Sequence, residues 1–235
     1  MLTARDQALV AWIGRLGAVG AIDVMGRFGI GRSQAYHRLG VLVRAGLLEP
    51  RHLLLGQPTL YVATRDGLLW AQLARLEPCR VGVANATHWM MCARVAVVLE
   101  RTEPGYRVWS EREVRAAELD AGGAVASAEL GRVPDGRPRL RRADLVLMPR
   151  DDHRRPVAVE VELAVKGARR LDAICRAWAR CRLIDHVRYY ASPAAGRAVA
   201  RAAARVHADD VIEIYSLDKT LKGEADVREL ARAVA

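Results

Sequence analysis

The chain has 235 residues, 51% of them hydrophobic, a length between one domain and two and enough to bury a sizeable core. Its 37 Lys and Arg against 27 Asp and Glu leave a net charge of +10, which attracts polyanions, nucleic acid first among them. No apolar run approaches the ~18 to 20 residues of a membrane span, and MLTARDQALVAWIG lacks the parts of a signal peptide, so a cytoplasmic protein without a membrane partner is expected.

Only Lys166, Lys219 and Lys222 are lysines, so the Arg excess is in part the signature of a GC-rich coding sequence. The four Cys form no CxxC pair, and neither they nor the six His show metal-ligand spacing, so no disulfide framework or structural zinc is expected. Gly26-Arg27-Phe28-Gly29-Ile30-Gly31 has the glycine spacing of neither a dinucleotide fingerprint nor a phosphate loop.

Thr3 is placed to cap a helix to about Leu16, with Leu9, Val10, Ile13 and Leu16 on one stripe. A short helix over 21–28 follows, then Gly29-Ile30-Gly31, a tight connection suited to a helix-turn-helix. The next helix, 32–45, carries Ala35, Leu39, Leu42 and Val43 at core spacing, leaving Arg32, Ser33, Gln34, Tyr36, His37, Arg38 and Arg44 for its outer or end surfaces. Two short strands around Gly56-Gln57-Pro58 come next, and Thr64 caps a closing helix to about Leu76.

This order, with AGLLE, a hairpin, a Tyr-containing strand and TRDG, resembles a winged helix-turn-helix domain over residues 3–76, where basic residues outnumber acids by nine to four. The resemblance implies double-stranded DNA as partner, with one helix in the major groove and a basic wing near phosphate. Arg32, Gln34 and His37 or Arg38 would approach base edges, since Arg suits guanine and Gln adenine; Ser33, Tyr36, Arg44, Arg51 and His52 would contact phosphates. A homodimer is the expected state, from how winged helices read symmetric DNA. The alternative for such a module is protein docking with these side chains solvated.

Residues 77–86 read as a connector, and a second domain is expected over 87–235. Its elements are a helix 88–100, a strand 106–114, a loop or long hairpin to about Arg142, strands over 143–148 and 157–163, a helix 168–181, a strand 186–191, a helix 194–206, a strand 211–215 and a terminal helix 225–234. The period of two in 157–163 puts Glu160 and Glu162 together on one face.

Helix, three strands, helix, strand, with Asp144 on the second strand and Glu160 and Glu162 on the third, resembles the PD-(D/E)XK nuclease fold. The chain is thus expected to be α+β, an N-terminal winged helix-turn-helix plus a C-terminal α/β domain with an αβββαβ core. In that resemblance Asp144 and Glu160 are the metal-binding carboxylates for Mg²⁺, Glu162 stands where the family has Lys, and either Glu162 or Lys166, the candidate for a Lys that some members carry on the following helix, would orient water. Glu111 and Glu113 on the preceding strand, or Glu100, could add an acid. The bland alternative is that the Glu pair binds neighbouring Arg, drawn from Arg137, Arg139, Arg141, Arg142, Arg169 and Arg170.

Together, the winged helix, the EVEL strand with its following Lys and Arg-rich helix, and the Arg-rich segment before Asp144 resemble the replication-relaxation family of mobile genetic elements. That resemblance implies DNA binding in plasmid-type replication or transfer, with a relaxase or replication initiator as protein partner. It leaves open whether the second domain cuts as a Mg-dependent endonuclease or nickase. A winged-helix transcription regulator, whose C-terminal domain dimerises or docks a partner, is the rival reading.

Overall fold

A computed structural model describes residues 2–53, 55–151 and 153–223 of the chain. The helix expected over 225–234 lies outside the described residues. The protein is mixed α and β and forms two compact units, divided in sequence between Val97 and Val98.

The first unit opens with α1 (Ala4–Leu16), whose Thr3 cap and Asp6 close a capping box. The segment β1 (Ala18–Gly20) leads into α2 (Ala21–Phe28). Gly29, at φ +61, takes the left-handed conformation that glycine adopts without a Cβ penalty, and it turns the chain into α3 (Arg32–Arg44). Strands β2 (Leu48–Arg51) and β3 (Leu60–Ala63) form a hairpin, and β1 adds to its other side, giving an antiparallel sheet of order β1-β3-β2. Leu9, Val10 and Ile13 of α1, Val24 of α2, Leu39 and Leu42 of α3 and Leu60 and Val62 of β3 are buried, so each helix turns its apolar stripe inward.

The closing helix is shorter than its sequence pattern predicts. It runs as α4 (Arg65–Trp70), and the chain then takes a positive φ at Gln72, which no helix continues through. Gly67 sits against the backbone of Leu47, where any Cβ would fall 2.0 Å from the carbonyl oxygen. Helix α5 (Ala86–Thr102) contains the division between the units.

In the second unit, β4 (Tyr106–Ser110) ends where Ser110 caps a helix, α6 (Glu111–Ala121). The strand expected to reach Val114 therefore stops four residues early, because the Ser110–Glu113 capping box starts a helix there. The segment to Arg142, expected as a loop or long hairpin, is this helix plus a hairpin of β5 (Ala128–Arg132) and β6 (Pro138–Arg141). Then come β7 (Leu145–Pro149), β8 (Val157–Glu162), α7 (Ala168–Arg180), β9 (Val187–Ala191), α8 (Pro193–Arg205), β10 (Ile212–Ser216) and α9 (Leu217–Lys222).

The main sheet has order β10-β9-β8-β7-β4. The pairs β4–β7 and β7–β8 are antiparallel, while β8, β9 and β10 run parallel. Every residue of β8 is buried, which places this strand at the covered centre of the sheet. Ala158 shares a core with Val146, Val187 and Tyr189 and with Leu171, Ile174, Cys175 and Trp178 of α7. The pleat puts Glu160 and Glu162 on that same α7-facing side.

Candidate nucleic-acid interface and carboxylate cluster

Helix α3 buries Ala35, Leu39 and Leu42 and exposes Arg32, Ser33, Gln34, Tyr36 and His37 along its N-terminal half. The Arg32 guanidinium lies over the Tyr36 ring, 5.8 Å from its centroid, an arrangement that holds both side chains out from the helix. No acid stands in the first turn, so the face carries hydrogen-bonding and positive groups only. Arg44 is exposed at the far end of the helix.

Arg38, grouped in sequence with the base-reading side chains, is committed elsewhere. Its Nε donates to Asp6 Oδ1 at 2.8 Å and its Nη2 to Oδ2, tying α3 to the start of α1. Burial raises the Asp6 carboxyl, but Arg38 and the Thr3 hydroxyl and amide outweigh it and hold the group below its ordinary value. On the hairpin, Arg51 is half-buried and paired with Glu49 at 2.9 Å, whereas His52 is exposed with Nδ1 3.0 Å from Thr59 Oγ1. The hairpin tip, residues 55–58, is exposed.

In the second unit the structure brings together the four residues that sequence nominated, but with partners of their own. Asp144, one residue before β7, accepts the Val161 N–H of β8 at 2.8 Å. Glu160 is buried and accepts both forks of Arg141, Nε at 2.9 Å to Oε1 and Nη2 to Oε2. Trp178 Nε1 of α7 donates to the same Oε1 at 3.3 Å. Glu162 pairs with Lys166, which lies in the connection between β8 and α7 and not on the helix where sequence placed it.

Burial pushes Glu160 up to about 7, and Arg141 opposes that rise while the neighbouring Asp144 charge adds to it. Tyr189, buried on the adjoining strand, is raised well above its ordinary value first by burial and then by the Glu160 charge. Asp144 and Glu160 are thus neighbours, as a metal-binding pair requires, yet they do not fit a divalent cation as they stand. Both Glu160 oxygens are taken by a guanidinium and Glu162 by an ammonium, so two cations already fill the charge that a Mg²⁺ would neutralise.

Glu111 and Glu113 lie in the first turn of α6, not on a strand. Glu113 closes the Ser110 cap and Glu111 pairs with Arg115 at 2.6 Å, so neither stands free to complete the carboxylates. Sequence offered Arg141 among the partners of the Glu pair, and Arg141 does hold Glu160, but sequence reasoning missed Glu118, buried on α6, which accepts Arg142 Nε at 2.6 Å. It also missed that His88 and Cys92 sit one turn apart on α5, 3.5 Å from Nε2 to Sγ. The i,i+4 spacing was the available signal.

No family model, curated protein or solved structure matches this chain. Among the described residues, no helix is long and apolar enough to cross a membrane.

Proposed function

We propose that this is a DNA-binding protein that grips duplex with the N-terminal half of α3 and the β2–β3 hairpin, and that its second unit is a catalytically silent relative of the nucleases. The observation that carries the reading is the row Arg32, Ser33, Gln34, Tyr36 and His37, exposed together on a helix that follows the Gly29 turn. A helix of this length enters the major groove, where Arg and Gln find bidentate partners on guanine and adenine.

The order α1-β1-α2-α3-β2-β3 supports a winged helix-turn-helix, with the exposed hairpin tip as wing. In chain order α5, β4, β7, β8, α7 and β9 follow one another with three antiparallel strands and then a parallel one, which supports the αβββαβ reading, with α6 and the β5–β6 hairpin inserted after its first strand. The Arg141 and Lys166 pairings are the reason for assigning it no cutting. The resemblance to replication-relaxation proteins supplies the setting: plasmid-type replication or transfer, with a relaxase or initiator as the protein recruited beside the DNA.

The test is binding of labelled duplex by fluorescence anisotropy, beside incubation of supercoiled DNA with Mg²⁺ or Mn²⁺. The double variant R32A/Q34A is expected to weaken specific duplex binding at least ~10-fold, since each bidentate base contact contributes about 1–3 kcal/mol. The plasmid is expected to stay supercoiled in both metals. Unchanged affinity in R32A/Q34A would remove α3 as the reading surface, and metal-dependent nicking abolished by E160A would make the second unit an endonuclease.

A further inference from the structure

The second unit carries a cleft of about 570 Å³ between α6, the β5–β6 hairpin and the start of α7. Five arginines line it, Arg115, Arg139, Arg141, Arg142 and Arg170, against the two acids Glu111 and Asp144. Three of the five are paired with carboxylates: Arg115 with Glu111, Arg141 with Glu160 and Arg142 with Glu118. A guanidinium offers five N–H donors, so one anchoring carboxylate fixes its direction without exhausting its capacity.

Arg139 and Arg170 are different. Both are exposed, they reach the cleft from β6 and from α7, and among the described residues neither side chain has a hydrogen bond or ion pair. Five cations against two acids in one cleft leave a positive excess, whose repulsion an anion entering the cleft would relieve. The geometry favours a repeating anion over a single one. Arg139 and Arg141 are alternate residues of one strand, so their side chains recur on one face about ~7 Å apart, a spacing comparable to that of successive phosphates along a nucleic-acid strand. Planar guanidinium forks also match phosphate oxygens bidentately.

We propose that this cleft is a second nucleic-acid contact, separate from α3, which holds the sugar-phosphate backbone of a strand chiefly through Arg139 and Arg170. The proposal rests on the reading of the chain as a DNA-binding protein. It gives the nuclease-like unit a function that survives the loss of metal chemistry: a backbone clamp. With Arg141 already holding Glu160, the cleft keeps its positive charge without needing a cation to screen the carboxylates.

The experiment uses the full chain with labelled 20-nucleotide oligo-dT and, in parallel, a 30-base-pair duplex, each titrated over a tenfold range of salt. R139A/R170A is compared with R197A/R201A, which removes the same charge from exposed positions of α8 outside the cleft, and with R32A/Q34A. For single-stranded DNA, R139A/R170A is expected to weaken binding about tenfold and to lower the log-log salt slope by ~1.4, two contacts at ~0.7 each. R197A/R201A is expected to stay within twofold of wild type.

Loss on the oligo-dT alone identifies the occupant as a single strand, and equal loss on both probes identifies it as the duplex backbone; either supports the clamp. Losses no greater than those of R197A/R201A overturn it. R32A/Q34A separates the two ideas: unchanged duplex binding there, with loss in R139A/R170A, removes α3 and keeps the cleft, and the reverse pattern keeps α3 and removes the cleft.

Discussion

Arg141 decides what the carboxylates of the second unit can do. A buried carboxylate without a partner takes up a proton, and Glu160 already titrates at about 7 because burial outweighs the guanidinium beside it. Arg141 feels the same contest with the opposite outcome: burial works against its charge, but Glu160 outweighs this and holds its proton more tightly than usual. Removing the guanidinium leaves Glu160 with the full cost of a buried anion. R141A is therefore expected to lower stability by about 3 kcal/mol at pH 8. The loss is expected to shrink at pH 5: a carboxyl whose folded pKa is raised has its stabilising neutral form fully present below the unfolded value, and that contribution disappears as pH rises through the folded one. Urea unfolding at the two pH values measures this, and R141A/E160Q, which removes both charges, is expected to recover most of the loss at pH 8. Equal losses for R141A at both pH values would mean that Glu160 is not the partner that matters.

Elements were legible where the period ran long enough to be seen. The stripes of α1, α3, α7 and α8 and the alternation in β8 repeat over several turns or pleats, and the structure bears them out within one or two residues at each end. Strand β1 was not legible, because three buried residues have no period and become a strand only by pairing with Leu60–Val62. The β5–β6 hairpin was legible only as one of two options, a loop or a long hairpin, because its strands are mostly exposed and polar and hydrophobicity does not mark them. Helix α6 could have been read, since Ser110 followed by Glu113 is a capping box in plain sight. Because that cap decides where β4 stops, S110A is expected to cost about 1 kcal/mol in urea unfolding, whereas Ser110→Thr, whose hydroxyl can still accept the Glu113 N–H and donate to its carboxylate, is expected to cost less. The cluster around Asp144 and Glu160 was visible as residue types at strand spacing. Its electrostatics were legible only as a choice between a metal and one of six nearby arginines, because Arg141 stands 19 residues from Glu160 and only the fold selects it.

At the scale of the whole molecule, a net charge of +10 promises an attraction for nucleic acid without saying where it acts. Two candidate patches lie one in each compact unit: the α3 face, which displays hydrogen-bonding groups suited to base edges, and the cleft, where five arginines outnumber the acids Glu111 and Asp144. If, as proposed, one unit reads sequence and the other holds backbone, affinity for DNA should exceed that of either patch by the advantage of linked contacts. Hydrogen exchange of the full chain with and without a 30-base-pair duplex and a single-stranded extension tests the division directly. Slower exchange is expected in residues 32–44 of α3 and, separately, in residues 111–115, 139–144 and 170–174 around the cleft. The centre of β8 is expected to stay unchanged because it is covered on both faces before DNA arrives. Protection confined to the first region would reduce the second unit to a scaffold, and protection confined to the second would make backbone holding, not sequence reading, the main interaction of the protein with DNA.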